Sequence, residues 1–200
     1  SGFGFYATFN TGSCNISFGS QVSTISCNGL SDGSIDITPT GGSGVYTYLW
    51  DTGATTEDLS GLSAGTYSVV LSDTWGCLDS ATFVITEPNA LVANGLQSGQ
   101  VSPFGFDISC YGLSDGWIEL DPTGGVPSNG NLYQYEWTGP FNGQSTISSS
   151  IYNVIEGIYD VTITDVNGCK YDTSFVLTQP ADTFVADVTT INYAGPVHGP

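Results

Sequence analysis

Apolar and polar residues alternate over short stretches of this chain. The runs SIDITP, YTYLW, TYSVVLS and ATFVIT, and further on WIELDP, YQYEW, YDVTITD and TSFVLT, are rich in β-branched and aromatic residues. Period-two alternation of those types predicts half-buried strands, and no segment predicts a helix. Clusters of Gly, Ser, Asn and Asp break the runs at the spacing of a Greek-key sandwich with about seven strands. The inward-facing positions are Ile35, Ile37, Tyr48, Trp50, Leu62, Tyr67, Val69, Leu71, Phe83 and Ile85. A second set follows as Ile118, Leu120, Tyr135, Trp137, Val154, Tyr159, Val161, Ile163, Phe175 and Leu177.

Those two sets belong to a tandem repeat. CNGLSDGSI at Cys27 is answered by CYGLSDGWI at Cys110, YTYLW by YQYEW, GTYSVVLSDTWGC by GIYDVTITDVNGC, and FVITEP by FVLTQP. The extra residues of the second copy fall between Gly125 and Tyr133 and between Trp137 and Gly157, where loops tolerate insertion. The expected fold class is all-β: two tandem immunoglobulin-like (PKD-like) β-sandwich repeats arranged end to end. The first covers residues 1–88 and the second 89–181, with 182–200 the first strand of a following repeat or a disordered tail. On that division FYATFN near residue 5, Leu91 to Ala93 and Thr183 to Val188 begin successive modules. The short junctions after Pro88 and Pro180 predict a stiff rod.

Charge then narrows the partners. Nineteen acidic residues stand against a single Lys170, for a formal net charge of -18. Such a chain neutralises no phosphates, so nucleic acid and anionic membrane surfaces are excluded as partners, and no apolar run approaches the roughly 20 residues of a membrane span, so no direct membrane insertion is expected. Solubility and mutual repulsion between copies explain the charge; so does divalent cation binding, which makes calcium the candidate cofactor. Its candidate ligands are Asp32 and Asp115 in the SDG phrases and Asp73 and Asp165 ahead of the GC phrases. The alternative for each is a carboxylate that braces a turn by bonding backbone N–H groups.

Four of five cysteines recur at matching positions, which places the chain in an oxidising, extracytoplasmic setting. The preferred pairing is Cys27 with Cys77 and Cys110 with Cys169. Free buried thiols and bridges between neighbouring repeats stay open, because those partners lie at opposite ends of a conventional sandwich. Cys14 has no counterpart in the second copy.

The only imidazole is His198, so a Ser-His-Asp or Cys-His site has no base to work with. The acids form no distinctive pair for glycoside hydrolysis, and no enzyme is expected. Trp75, Trp117 and Tyr133 are the candidate ligand contacts, adjoining turns where an aromatic ring could stack on a sugar. Trp50 and Trp137 are read as core.

The ordered series CxGLSDGxI, PTGG, YxYxW, GxYxVxxxDxxGC and TEP or TQP, present twice, resembles the SprB-type repeat of the large gliding adhesins of Bacteroidetes-type bacteria. That resemblance implies a repetitive cell-surface filament exported by type IX secretion and used in gliding motility. The chain is then a piece of a longer secreted protein, a spacer projecting an adhesive part. A calcium-dependent or aromatic-stacking carbohydrate-binding module is the alternative. The implied partners are neighbouring repeats of the same chain and surface polysaccharide.

Overall fold

The computed structural model describes residues 14–100, 105–128, 133–141 and 147–181. The strand expected near residue 5, the segment 182–200 and His198 lie outside the described residues. What is described is all-β apart from one 3-10 turn at Ser98–Gln100.

The first copy contributes β1 (Ile16–Ser23), β2 (Gly33–Gly41), β3 (Tyr46–Trp50), β4 (Leu59–Leu62), β5 (Gly65–Asp73) and β6 (Leu78–Ile85). They form two three-stranded sheets, β1-β2-β4 and β3-β5-β6. Every pairing described in them is antiparallel, with Ile16 opposite Gly41, Trp50 opposite Val69 and Tyr67 opposite Phe83. The second copy repeats the plan with β7 (Val92–Gln97), β8 (Gly116–Thr123), β9 (Gln134–Thr138), β10 (Ser150–Val154), β11 (Gly157–Thr164) and β12 (Lys170–Leu177). Its sheets are β10-β8-β7 and β12-β11-β9. Each copy thus shows six strands among the described residues, against the expected seven. After β3, Asp51 to Asp58 run as turns, because Trp50 folds the segment back: its N–H donates to Ala54 O and its indole Nε1–H to Thr56 O. Trp137 acts alike, with Nε1–H donating to Ser148 O at 2.8 Å.

By compactness the chain divides into Ser1–Ala93 with Pro122–Gln134 and Ile163–Tyr171, and Asn94–Asp121 with Tyr135–Thr162 and Asp172–Pro200. In the first unit Ile25, Ile35, Ile37, Trp50, Val69, Phe83 and Ile85 make one buried cluster between the two sheets. Tyr48, Leu62 and Tyr67 pack against it half-buried, so the expected core holds. Burial of such side chains contributes about 1.5–3 kcal/mol each. In the second unit Ile118, Trp137, Val154, Tyr159 and Leu177 are buried, with Tyr135 and Phe175 half-buried. Ile25 and Ile108, absent from the expected core, are both buried, at 3% and 0% exposure. They sit just ahead of the CxGL phrases, outside any strand, where their N–H groups donate to Thr86 O and Thr178 O at 3.0 Å.

The SDG glycine follows from this packing. A Cβ on Gly33 would meet Ile85 Cγ2 at 2.9 Å, and one on Gly116 would meet Ile108 Cδ1 at 2.6 Å. Glycine opens β2 and β8 because any side chain there would press into the core.

Candidate cross-linking and interaction site

Two loops carry the repeated polar residues. The CxGLSDG loop closes on itself through its acid. Asp32 accepts from Ser26 N–H at 3.1 Å and from the Ser26 hydroxyl at 2.5 Å, and Asp115 accepts from Ser109 N–H at 3.1 Å. The serine hydroxyl first, and its N–H after, hold both carboxyls below the ordinary Asp range. Leu30 N–H donates to Cys27 O at 3.1 Å and Leu113 N–H to Cys110 O at 3.2 Å. The TEP and TQP phrases complete the loop, since Gly29 N–H donates to Glu87 Oε2 at 2.6 Å and Gly112 N–H to Gln179 Oε1 at 2.8 Å.

The DxxGC turn is a brace between two loops. Asp73 Oδ1 accepts from the N–H groups of Trp75 and Cys77, both at 2.9 Å, while Oδ2 accepts from Ser43 N–H at 2.9 Å. Asp165 repeats this, taking Asn167 and Cys169 N–H at 2.9 Å and Val126 N–H at 2.7 Å. The double glycine admits the carboxylate. Gly42 and Gly125 have φ of 57° and 58°, and a Cβ on Gly125 would come within 2.7 Å of Asp165 Oδ2. Burial pushes the Asp73 carboxyl up, but N–H donors led by Cys77 outweigh it and leave it below the usual value.

These four aspartates are therefore engaged by backbone and serine donors. Among the described residues no three His, Cys, Asp or Glu side chains gather into a metal-sized group. The candidate aromatics have three different settings. Trp75 stands 63% exposed at the turn between β5 and β6. Trp117 is half-buried on β8 opposite Tyr152 of β10. Tyr133 is half-buried, and its hydroxyl donates to Gly124 O at 2.9 Å, as Tyr46 does to Gly41 O.

The disulfides correct the expected pairing. The bonds are Cys14–Cys77 and Cys27–Cys169, with Cα separations of 5.4 and 5.6 Å, and neither Cys27–Cys77 nor Cys110–Cys169 forms. Cys110 is an exposed free thiol. The reason is the length of β6. The Cys27 loop bonds to Thr86, Glu87 and Pro88 just after that strand, whereas Cys77 just precedes it. Eight extended residues hold the two cysteines about 25 Å apart, and a bridge needs Cα atoms within about 7 Å. In the second copy β12 separates Cys169 from the loop of Cys110 in the same way. Cys27 meets Cys169 instead, beside a hydrogen bond from Asn167 Nδ2–H to Ser26 O at 2.9 Å. All four bonded cysteines fall in the first compact unit. The signal in the sequence was Cys14 itself: pairing each CxGL cysteine with the GC cysteine one copy on leaves Cys77 over, and Cys14 fills that vacancy.

Paired three-stranded sheets, iterated along the chain and braced at their loops, define a tandem all-β repeat protein. Residues 19–55 and 107–142 each match the model of the SprB repeat, and the chain carries SprB-type repeats. No curated protein matches it. Among solved structures it is similar to the three N-terminal domains of the bacteriophage RB49 Highly Immunogenic Outer Capsid protein. Identity is 17% and the TM-score 0.44, over 81% of this chain and 58% of that one. It is also similar to Bacteroides ovatus SGBP-B of a mixed-linkage glucan utilization locus, solved with a mixed-linkage heptasaccharide. There identity is 16% and the TM-score 0.21, over 79% of this chain and 46% of that one. The chain thus spans less than two thirds of either structure.

Proposed function

We propose that this chain is a structural repeat segment of a filamentous cell-surface adhesin used in gliding motility, a stiff spacer that projects the adhesive part, exported by type IX secretion. The observation that supports it is what the repeated polar residues do. Asp32, Asp73 and Tyr46, like Asp115, Asp165 and Tyr133, brace the chain's own loops. What recurs from copy to copy is framework, as expected of a module whose role is to be stacked. The disulfides fit an extracellular location, and among the described residues no helix is long and apolar enough to cross a membrane. Catalysis has no part in this reading.

A glycan array probed with the chain in calcium and again in EDTA tests it. The expected result is no saturable binding in either condition and an unchanged melting temperature. Saturable binding abolished by Trp117→Ala would replace this reading with that of a carbohydrate-binding module. A calcium-dependent rise in melting temperature would make the four aspartates cation ligands.

A further inference from the structure

The two CxGL cysteines occupy equivalent loops and differ in what they bond. Cys27 is joined to Cys169, whereas Cys110 is a free, exposed thiol. The Cys110 loop is already built. It has the Leu113 bond to Cys110 O, the Asp115 acceptor for Ser109 N–H and the Gln179 acceptor for Gly112 N–H. These match, bond for bond, the Leu30, Asp32 and Glu87 contacts that present Cys27. Both GC-turn cysteines of the chain are meanwhile taken, Cys77 by Cys14 and Cys169 by Cys27.

We propose that Cys110 is a cross-linking site for the GC-turn cysteine of a following SprB-type repeat, repeating the Cys27–Cys169 bond one copy further along; this rests on the repeat-array reading above. The bond made by the counterpart cysteine, from a loop braced by the same three backbone contacts, carries the assignment. The structure also specifies the partner. Cys169 arrives on a turn whose Asn167 side chain donates to Ser26 O, and the counterpart of that carbonyl is Ser109 O. The incoming turn should therefore read D-x-N-G-C, as Asp165 to Cys169 does, with the asparagine reaching Ser109 O. The first copy has Trp75 at that place, on the turn that Cys14 closes. In forming the bond, the two thiols lose two protons and two electrons to a disulfide oxidant such as oxidised glutathione. The oxidant is reduced to two thiols as the new S–S bond forms.

The test is a longer chain, residues 1–180 followed by a second copy of residues 89–181, oxidised in a glutathione buffer, digested without reduction and mapped by mass spectrometry. The expected map contains Cys14–Cys77, Cys27–Cys169 and a third linked peptide joining Cys110 to the added counterpart of Cys169. One free thiol per chain is expected rather than three. Cys110 left alkylatable, or found in Cys110–Cys110 dimers, overturns the proposal. A second format does not need the added copy to fold. Cys14→Ser with Trp75→Asn vacates Cys77 on a D-x-N-G-C turn, so Cys110 of one molecule should link to Cys77 of another. The resulting oligomers should disappear with Cys110→Ser, and their absence at high protein concentration counts against the proposal equally. Neither negative result would alter the outcome of the glycan array.

Discussion

The two copies share a framework and differ in how each secures its GC turn. In the first, Cys77 is met by Cys14, immediately ahead of β1. In the second, Asn89 to Leu91 run where Cys14 to Ile16 run in the first: Leu91 is buried as Ile16 is, and Gly124 faces Ala90 O as Gly41 faces Asn15 O. That stretch holds no cysteine, and Cys169 reaches back to Cys27. One turn is closed by its own copy and the other by its neighbour. The lesson is that in a repeat protein the unit of covalent organisation need not coincide with the unit of sequence.

The largest test of this contrast removes each bridge in turn. Cys27→Ser with Cys169→Ala opens a closure of 142 residues, and Cys14→Ser with Cys77→Ala one of 63 residues. Loop entropy gives about 3–5 kcal/mol for each, with a difference below about 1 kcal/mol. Urea unfolding followed by tryptophan fluorescence measures both, and a gap of several kcal/mol would mean that chain closure is not the main role of one of them. A smaller effect compares the SDG glycines. Gly116→Ala should cost about 2–3 kcal/mol and Gly33→Ala about 1–2 kcal/mol, because the new methyl meets a neighbour at 2.6 Å in one case and 2.9 Å in the other. Equal losses would show that the packing at the two positions is the same.

The smallest effect concerns Asp107, which stands where the first copy has Thr24. Its carboxylate accepts from Gln97 Nε2–H, Gly99 N–H, and the N–H and hydroxyl of Thr178. Burial opposes ionisation, yet these donors, led by Thr178 N–H, hold the group below the ordinary Asp value. A carboxyl lowered on folding lends stability that is complete above its unfolded pKa and is lost as pH falls through the folded one. Asp107→Asn should cost about 1 kcal/mol at neutral pH. It should also flatten the decline of stability below about pH 4. An unchanged acid slope would assign the decline to Asp32, Asp73 and Asp115, which are lowered as well.

Most of the fold was legible because alternation is a local signal. Ile35 and Ile37, or Tyr159, Val161 and Ile163, announce their buried face without reference to anything distant. Ile25 and Ile108 could not be read that way, since each is buried by a loop that docks on the far end of β6 or β12. The turn role of the four aspartates was available from Asp beside Gly. The double use of Asp73 and Asp165, one oxygen for each loop, depends on bringing together residues thirty or more positions apart. The cysteine pairing failed for the same reason: matched positions show which residues are equivalent, and only the strand between them shows which are near.

The Cys27–Cys169 bond also decides how tension passes through the molecule. A pull applied at the two ends enters at Cys27 and leaves at Cys169, crossing the sulfur bridge and bypassing the 142-residue stretch between them. Fully extended, that stretch would add roughly 480 Å. Under load it stays slack, so its sandwich strands can open and reclose without lengthening the tether, and a protease cut within it leaves the line unbroken.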